Sequence, residues 1–333
     1  MSRLLPLSVA CGDYDRTQAL RTGDVTAEGA SLTYLTLPVE ETFFRMVSYR
    51  EFDVAEMSLS TYVMTLREDP EDSPFVAIPV FPSRVFRHSG IYVNTHRGIE
   101  EPADLVGRTI GVPEYQITAA VWIRGILAEH HGVPIDSVRY RTGGLHAAGR
   151  AEKVSVSPPA GVEIEPIPAG ATLAQLLVSG EIDALYSART PEPFDHGCPD
   201  VRRLFQDPAQ AEAEYFRATG IFPIMHTVVL RRDLYRSHRW LARSLMKAFE
   251  AAKAHAMTGI DETAAVRYML PWLYSEVRRT REIMGTDYWP YGIPRNEETL
   301  RVFLRYSYEQ GLAAKPWEPD DLFAPETRQA FVI

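Results

Sequence analysis

The first quarter of the chain alternates short apolar runs with amphipathic stretches. The runs predict strands over residues 7–10, 32–36 and 54–57. The stretch after each run shows helical periodicity, which predicts helices from about Arg16, over residues 39–47 and over residues 60–66. This βαβαβα order is typical of a parallel sheet with helices on its faces.

A second series of the same kind follows. Its apolar runs predict strands over residues 91–93, 109–112, 137–141 and 184–186, and its amphipathic stretches predict helices over 102–105, 116–130 and 173–179. Residues 153–168 are rich in Val, Ser and Pro, which predicts an extended segment that belongs to this second part of the chain rather than a linker. The sequence therefore predicts an α/β protein with two lobes, each a mixed, mostly parallel sheet flanked by helices.

The last third of the chain is mostly helical in pattern. Residues 221–230 are apolar enough for a buried strand, and helices are predicted over 240–256, 261–273 and 299–311. If the helical tail packs on the first lobe, residues 83–93 and 222–230 cross between the lobes. This predicts a first lobe of residues 1–84 and 224–333, a second of residues 85–223, and a substrate cleft between them at the strand ends.

Composition narrows the class of protein. The 333 residues are 45% hydrophobic and 24% charged, which is typical of a globular protein, and the net charge of -9 argues against a nucleic-acid partner. Cys11 and Cys198 give no disulfide framework and no metal-ligand spacing. The start of the chain superficially resembles a lipoprotein signal, but Pro6 interrupts its apolar run and acidic residues follow. With no membrane-spanning run, we expect a cytoplasmic protein without a membrane partner.

The predicted crossing segments carry the candidate chemistry. One contains Arg84, Arg87 and His88, and the other contains His226. Arginine binds carboxylates through a planar fork, and histidine titrates near neutral pH, so the set could hold an acidic substrate and move a proton. Solvated arginines and structural ion pairs are the alternative. A metal site is not expected, because no H-E-x-x-H motif or similar histidine spacing occurs.

Further polar residues follow the predicted strands. Such positions lie at helix N-termini, where free backbone N–H groups favour anions. These candidates are Asp13, Glu56, Ser58, Tyr115, Gln116, Thr118, Ser187 and Arg189. Ordinary N-capping is the alternative for Ser58, Ser60 and Thr118.

Other catalytic motifs are missing from the sequence. There is no G-x-S-x-G elbow, no P-loop and no G-x-G-x-x-G turn. The aromatic segment 287–292 either packs between helices or touches an aromatic ligand through Tyr288 or Tyr291.

Five segments resemble one known family. They are FPSRVFRHSGIYVN (81–94), IGVPEYQITAAVWIRGIL (110–127), DALYSARTPEPF (183–194), IFPIMHTVVLRRDLY (221–235) and LFAPET (322–327). The sequence resembles the 4,5-dihydroxyphthalate decarboxylase family over nearly its whole length. The resemblance implies a type II periplasmic-binding-protein-like fold and decarboxylation of a hydroxylated aromatic dicarboxylate without a metal or other cofactor.

The resemblance also suggests roles for the residues. The reaction needs carboxylate clamps, an acid for the ring carbon and a base for the para hydroxyl. We expect Arg84, Arg87 and Arg189 to hold the carboxylates. His88 or His226 would protonate carbon, while Glu56 or the other histidine would take the phenolic proton.

Two other functions remain open from the sequence. The first is a binding protein for an aromatic acid on the same scaffold, without turnover. The second is a lyase similar to chorismate dehydratase, in which Glu56 would act as the base for elimination. The sequence leaves the oligomeric state open, including a homo-oligomer.

Overall fold

The computed structural model describes residues 3–328 except 151, 153 and 155. These form two compact units. Unit 1 consists of the chain up to Arg84, Phe216–Arg301 and the chain from Glu318, and unit 2 consists of Val85–Tyr215 and Val302–Trp317. Each unit has its own sheet.

The strands fall close to the predicted positions. Within the described residues they are β1 (Leu5–Cys11), β2 (Ala30–Thr36), β3 (Val54–Ser58), β4 (Phe75–Ile78), β5 (Ile91–Asn94), β6 (Thr109–Val112), β7 (Arg139–Thr142), β8 (Glu163–Pro166), β9 (Ala184–Tyr186), β10 (Val201–Arg203) and β11 (His226–Arg231). The sequence analysis did not predict β4 and β10, which are short.

The helices occur along the chain in the following order. They are α1 (Asp15–Thr22), α2 (Val39–Tyr49), α3 (Leu59–Thr65), α4 (Thr118–His131), α5 (Leu173–Ser179), α6 (Glu192–Asp195), α7 (Pro208–Thr219), α8 (Arg232–Ser237), α9 (Trp240–Met257), α10 (Leu273–Met284), α11 (Glu297–Glu309) and α12 (Pro319–Leu322). The predicted helix at Pro102–Leu105 is a short 3-10 helix.

The sheet of unit 1 has the strand order β2-β1-β3-β11-β4. The strands β1, β2 and β3 are parallel, as predicted, whereas β11 runs antiparallel to both β3 and β4. β3 is buried along its whole length, although its central residue is Glu56. A charge in such a position needs partners, and these define the site described below.

The sheet of unit 2 has the order β10-β5-β9-β6-β7-β8. The strands β9, β6, β7 and β8 are parallel, and β5 lies antiparallel between β9 and β10. The extended segment predicted over residues 153–168 contributes β8 to the edge of this sheet, in the part that the structure describes.

Two predicted elements differ from the structure. The run 221–230 forms a regular strand only from His226, and the residues before it make a single bridge between Ile224 and Arg84. No helix covers the described residues 261–272, and α10 begins at Leu273. Proline lacks the N–H that a helix needs and disfavours a helical residue before it, so Pro271 accounts for the absence of helix at the end of this segment and not for the residues further upstream.

The division into units also differs from the predicted boundaries. The chain returns to unit 1 at Phe216 rather than at residue 224, and Val302–Trp317 belongs to unit 2. Packing against α4 explains the second difference. The Trp122 ring lies 5.4 Å from Phe303 and 5.8 Å from Tyr306, measured between ring centroids.

No helix in the described part of the chain is long and apolar enough to cross a membrane. Cys11 is buried, Cys198 is half-buried, and both are free thiols.

Candidate functional site

A buried carboxylate lies at the centre of the unit 1 sheet. Strand β1 runs parallel to β3 with Val9 opposite Val54, so Cys11 and Glu56, two residues further on, come side by side. The Cys11 thiol donates to Glu56 Oε2 at 3.3 Å. The carboxyl ends of the two strands thus hold Glu56 at the edge where ligands of parallel sheets bind.

The Glu56 carboxylate accepts hydrogen bonds from every side. Besides Cys11, the Gly12 backbone N–H donates to Oε2 at 2.9 Å and the Tyr14 hydroxyl donates to Oε1 at 2.8 Å. His226 Nδ1 lies 2.6 Å from Oε1. Burial alone would raise the pKa of Glu56, but the His226 ring and the other donors outweigh it and hold the pKa below its ordinary value of 4.5.

Strand register brings His226 to this carboxylate. On β11, His226 pairs with Ser58 and Val228 pairs with Glu56, so His226 and Glu56 are diagonal neighbours on one face. The edge of Phe43 packs on the imidazole, with ring centroids 4.8 Å apart. The His226 side chain is 16% exposed, and its Nε2 has no hydrogen-bond partner among the described residues. This ring is therefore oriented by Glu56 and open at one nitrogen.

Gly12 allows the Tyr14 ring to pack against the backbone next to Glu56. A Cβ added to Gly12 would lie 2.7 Å from the Tyr14 ring, which folds back over the backbone at this point. Burial, followed by the Glu56 charge, raises the pKa of the Tyr14 hydroxyl far above its ordinary value. Tyr14 therefore stays protonated and remains a donor to Glu56.

Arg84 lies in unit 1 and is engaged with backbone carbonyls. Its two terminal nitrogens donate to the carbonyl oxygens of Pro290 at 3.1 Å and Phe222 at 2.9 Å. Burial lowers its pKa to about 9, which still leaves it charged at neutral pH. The guanidinium that was predicted to clamp a substrate carboxylate thus fixes two loops.

The other predicted residues of unit 1 have local partners. Asp13 is exposed, with its carboxylate 3.6 Å from the Arg21 guanidinium. The Ser58 side chain accepts from Thr61 N–H at 3.4 Å and caps α3, as the alternative interpretation expected. In segment 287–292, Tyr291 is buried beneath the Lys253 ammonium, 4.5 Å from its ring centroid, which agrees with a packing role.

In unit 2, His88 lies in an aromatic cluster. Its ring centroid is 5.1 Å from that of Phe205, 5.2 Å from Tyr215 and 6.3 Å from His131. Its Nδ1 is buried without a hydrogen-bond partner among the described residues. Burial, with smaller contributions from His131 and His130, lowers the pKa of His88 to about 4, so the ring is neutral at pH 7.

Arg87 is buried close to this cluster. Burial lowers its pKa to about 10, and the Glu212 charge opposes that shift. Glu212 also accepts from the Ser89 N–H at 3.1 Å. The charge of Glu212 therefore acts on the buried Arg87 guanidinium.

The predicted site residues that follow β6 and β9 belong to unit 2. The Tyr115 ring is covered by the Arg124 guanidinium at 3.8 Å from its centroid, and the Gln116 amide nitrogen donates to Glu114 at 3.3 Å. Thr118 is the buried first residue of α4. The Ser187 hydroxyl donates to the carbonyl of Arg189 at 2.6 Å, and the Arg189 side chain is exposed.

The structure therefore joins two of the three predicted catalytic residues, Glu56 and His226, in unit 1. His88 belongs to unit 2, so the predicted cleft between the lobes stays a prediction. Gly12 was expected to face the site after the first strand, whereas sequence reasoning missed Cys11 and Tyr14. The available signal was their position at the end of β1, beside the end of β3. Within the described residues, no group of three His, Cys, Asp or Glu side chains could hold a metal ion.

Comparison with known proteins gives two similar sequences. The chain is 42% identical to a 4,5-dihydroxyphthalate decarboxylase of Comamonas testosteroni over 329 residues, 99% of each chain. It is 43% identical to a protein of the same name from Pseudomonas putida over 214 residues, 64% of this chain and 82% of the relative. No protein-family model matches the chain.

Among solved structures, the fold is similar to that of the periplasmic sulfonate-binding protein SsuA from Methylobacillus flagellatus KT. The TM-score is 0.54 at 14% identity, with 98% of this chain and 93% of that chain covered. The likeness at this identity concerns the fold alone, which is the predicted periplasmic-binding-protein-like architecture.

Proposed function

The chain belongs to the 4,5-dihydroxyphthalate decarboxylase family, and we propose that it converts 4,5-dihydroxyphthalate to 3,4-dihydroxybenzoate and carbon dioxide. The observation that carries this activity is the identity of 42% across 99% of both chains. The alternatives of a non-catalytic binding protein and a dehydratase-like lyase have no comparable support.

The chemistry requires one proton to reach a ring carbon. We propose that the carbon bearing the departing carboxylate is protonated while the hydroxyl para to it releases its proton to solvent, which gives a dienone. The bond to the carboxylate then breaks, its electron pair returns to the ring, and carbon dioxide leaves. The ring becomes aromatic again and its phenolate oxygen regains a proton.

We assign the protonation of carbon to His226. Its Nδ1 faces Glu56, and its Nε2 is the nitrogen without a partner among the described residues. The carboxylate on Nδ1 fixes the orientation of the ring, which is the positioning that proton transfer from Nε2 requires. His88 is less suited, because burial among aromatic rings keeps it neutral at pH 7.

Glu56 is better suited to position His226 than to act as the base. It already accepts from Cys11, Gly12 and Tyr14 as well as facing His226, so a phenolic hydroxyl would have to displace one of these groups. Its lowered pKa also makes it a weak base. We therefore propose Glu56 as a positioning residue and His226 as the catalytic residue.

Of the predicted carboxylate clamps, we retain Arg87 and Arg189 as proposals. Arg84 is the weaker candidate, because each of its terminal nitrogens already donates to a carbonyl oxygen.

The experiment is to incubate chelator-treated protein with 4,5-dihydroxyphthalate and to follow carbon dioxide and 3,4-dihydroxybenzoate. Formation of both supports the proposal and a reaction independent of added metal. If activity appears only when a divalent metal is restored, the decarboxylase assignment stands but independence from metal fails. Binding without product would favour the binding-protein alternative.

A further inference from the structure

Arg16 holds a guanidinium between two aromatic rings of unit 1. It is the second residue of α1, directly after the Tyr14–Asp15 step. Its guanidinium carbon lies 4.1 Å from the centroid of the Tyr14 ring and 4.4 Å from that of Trp289. Its Nε donates to the carbonyl oxygen of Pro82. These contacts fix the plane of the guanidinium, so little side-chain entropy remains to be lost on binding.

The outer part of this guanidinium is available. Nη1 lies 3.0 Å from Asp15 Oδ1, and Nη2 has no hydrogen-bond partner in the described part of the chain. The Arg16 side chain is 18% exposed and the Asp15 side chain 43% exposed. An ion pair this open to water contributes at most about 1 kcal/mol, so a ligand carboxylate can replace Asp15.

Arg16 is also close to the proposed catalytic pair. The Tyr14 ring that lies under the guanidinium carries the hydroxyl that donates to Glu56. Glu56 in turn faces His226. One tyrosine ring therefore separates a fixed positive charge from the carboxylate that orients the imidazole.

We propose that Arg16 binds one carboxylate of the aromatic dicarboxylate substrate. The inference rests on the proposed function for the identity of the substrate. An arginine fork matches the two oxygens of a carboxylate, and the Tyr14 and Trp289 rings that pack on the guanidinium hold it in place for that contact. Arg84 of unit 1, by contrast, is buried, and each of its terminal nitrogens donates to a carbonyl oxygen.

The test uses two probes that divide the substrate into its parts. Phthalate carries both carboxylates without hydroxyls, and catechol carries both hydroxyls without carboxylates. Binding of each is measured by calorimetry, which needs no turnover, for the wild type and for R16Q, R16K and R21Q. Arg21 lies on the same helix, pairs with the exposed Asp13 and serves as the matched control.

We expect R16Q to weaken phthalate binding about tenfold or more, which is the loss of one charge-assisted hydrogen bond. Catechol binding is expected to be unchanged, and R16K to fall between R16Q and the wild type for phthalate. R21Q is expected to behave as the wild type. Thermal unfolding of each variant identifies any loss of binding that comes from unfolding. If R16Q does not fold, R16K, which keeps the charge, replaces it in the comparison.

Three outcomes would overturn the proposal. They are no binding of phthalate to the wild type, equal binding of phthalate to R16Q and wild type, or equal weakening of both probes. Failure of the proposed function is distinguishable, because a protein that binds phthalate through Arg16 but releases no carbon dioxide would retain the carboxylate site and lose the decarboxylase assignment.

Discussion

His226 Nδ1 lies 2.6 Å from Glu56 Oε1, between two antiparallel strands whose register makes these residues diagonal neighbours. The carboxylate is fully buried, whereas the imidazole reaches the surface of unit 1. The Gly12 N–H and the Tyr14 hydroxyl also donate to the carboxylate and add to the stabilisation that His226 gives its charge. Glu56 therefore orients the imidazole through Nδ1, and Nε2 is the nitrogen left to contact a ligand.

The first prediction concerns the two members of this pair. H226Q is expected to lower kcat for decarboxylation by about 10²–10⁴, the usual contribution of a general acid. E56Q is expected to lower kcat as well, because the NH2 of the glutamine amide is a donor and would face groups that donate to the Glu56 carboxylate. It should also destabilise the fold by about 1–3 kcal/mol, the cost of an unsatisfied buried group.

The control is a histidine–carboxylate pair on the surface. His96 Nε2 lies 2.8 Å from Asp200 Oδ1, and the His96 side chain is 73% exposed. The variants H96Q and D200N should leave kcat and the free energy of unfolding unchanged. A fully active H226Q would remove His226 from the mechanism.

The second prediction concerns the donors that surround Glu56. Y14F removes one hydroxyl but keeps the ring beneath Arg16, so kcat should fall while phthalate binding is retained. G12A places a Cβ against the Tyr14 ring and should cost about 1–3 kcal/mol of stability, as overpacking does, together with a loss of kcat. Y49F, at a tyrosine that is 67% exposed, is the control. An unchanged kcat in both Y14F and G12A would show that the position of Glu56 does not depend on these contacts.

Much of this arrangement follows from the sequence. The alternation of apolar runs predicts β1, β3 and their helices, and therefore places Glu56 at a strand end. The contact with His226 depends on the register of β11 against β3, a pairing between residues 170 positions apart that no local pattern specifies. Tyr14 and Arg16 were missed for a similar reason, since their roles arise from the fold of the chain after β1. His88 was chosen for its residue type, and its burial among aromatic rings is a tertiary property.

The third prediction is a loss of stability in mild acid caused by His88. Its pKa falls from 6.5 to about 4 in the folded protein, so between these values the unfolded chain binds a proton that the folded protein does not. Stability should therefore decrease as the pH falls from 6.5 toward 4, by about 3 kcal/mol for this one group. H88F, which keeps a ring in the cluster, should show a shallower dependence in urea unfolding at several pH values, and should keep its kcat.

Measurement above pH 4.5 separates this effect from that of Glu56. The pKa of Glu56 is lowered in the fold, so its stabilising contribution is present above 4.5 and is lost only as the pH falls further, through the folded value. A parallel pH dependence in H88F and wild type would contradict the buried neutral state of His88. A collapse of kcat in a stable H88F would return this histidine to the mechanism.

The last prediction tests why residues 302–317 belong to unit 2. Gln310 is fully buried; its Oε1 accepts from Arg124 Nε at 2.7 Å, and its amide nitrogen donates to the Val121 carbonyl at 3.0 Å. Q310A would leave the buried Arg124 Nε without its acceptor, at a cost of about 1–3 kcal/mol, whereas the Val121 carbonyl lies within α4 and keeps its helical hydrogen bond. Q310E should cost less, because its carboxylate restores the acceptor for Arg124 with a charge of opposite sign. The exposed neighbour variant E309A should be neutral, and hydrogen exchange should place the Q310A loss in α4, whereas an unchanged exchange rate there would show that the C-terminal segment contributes little to unit 2.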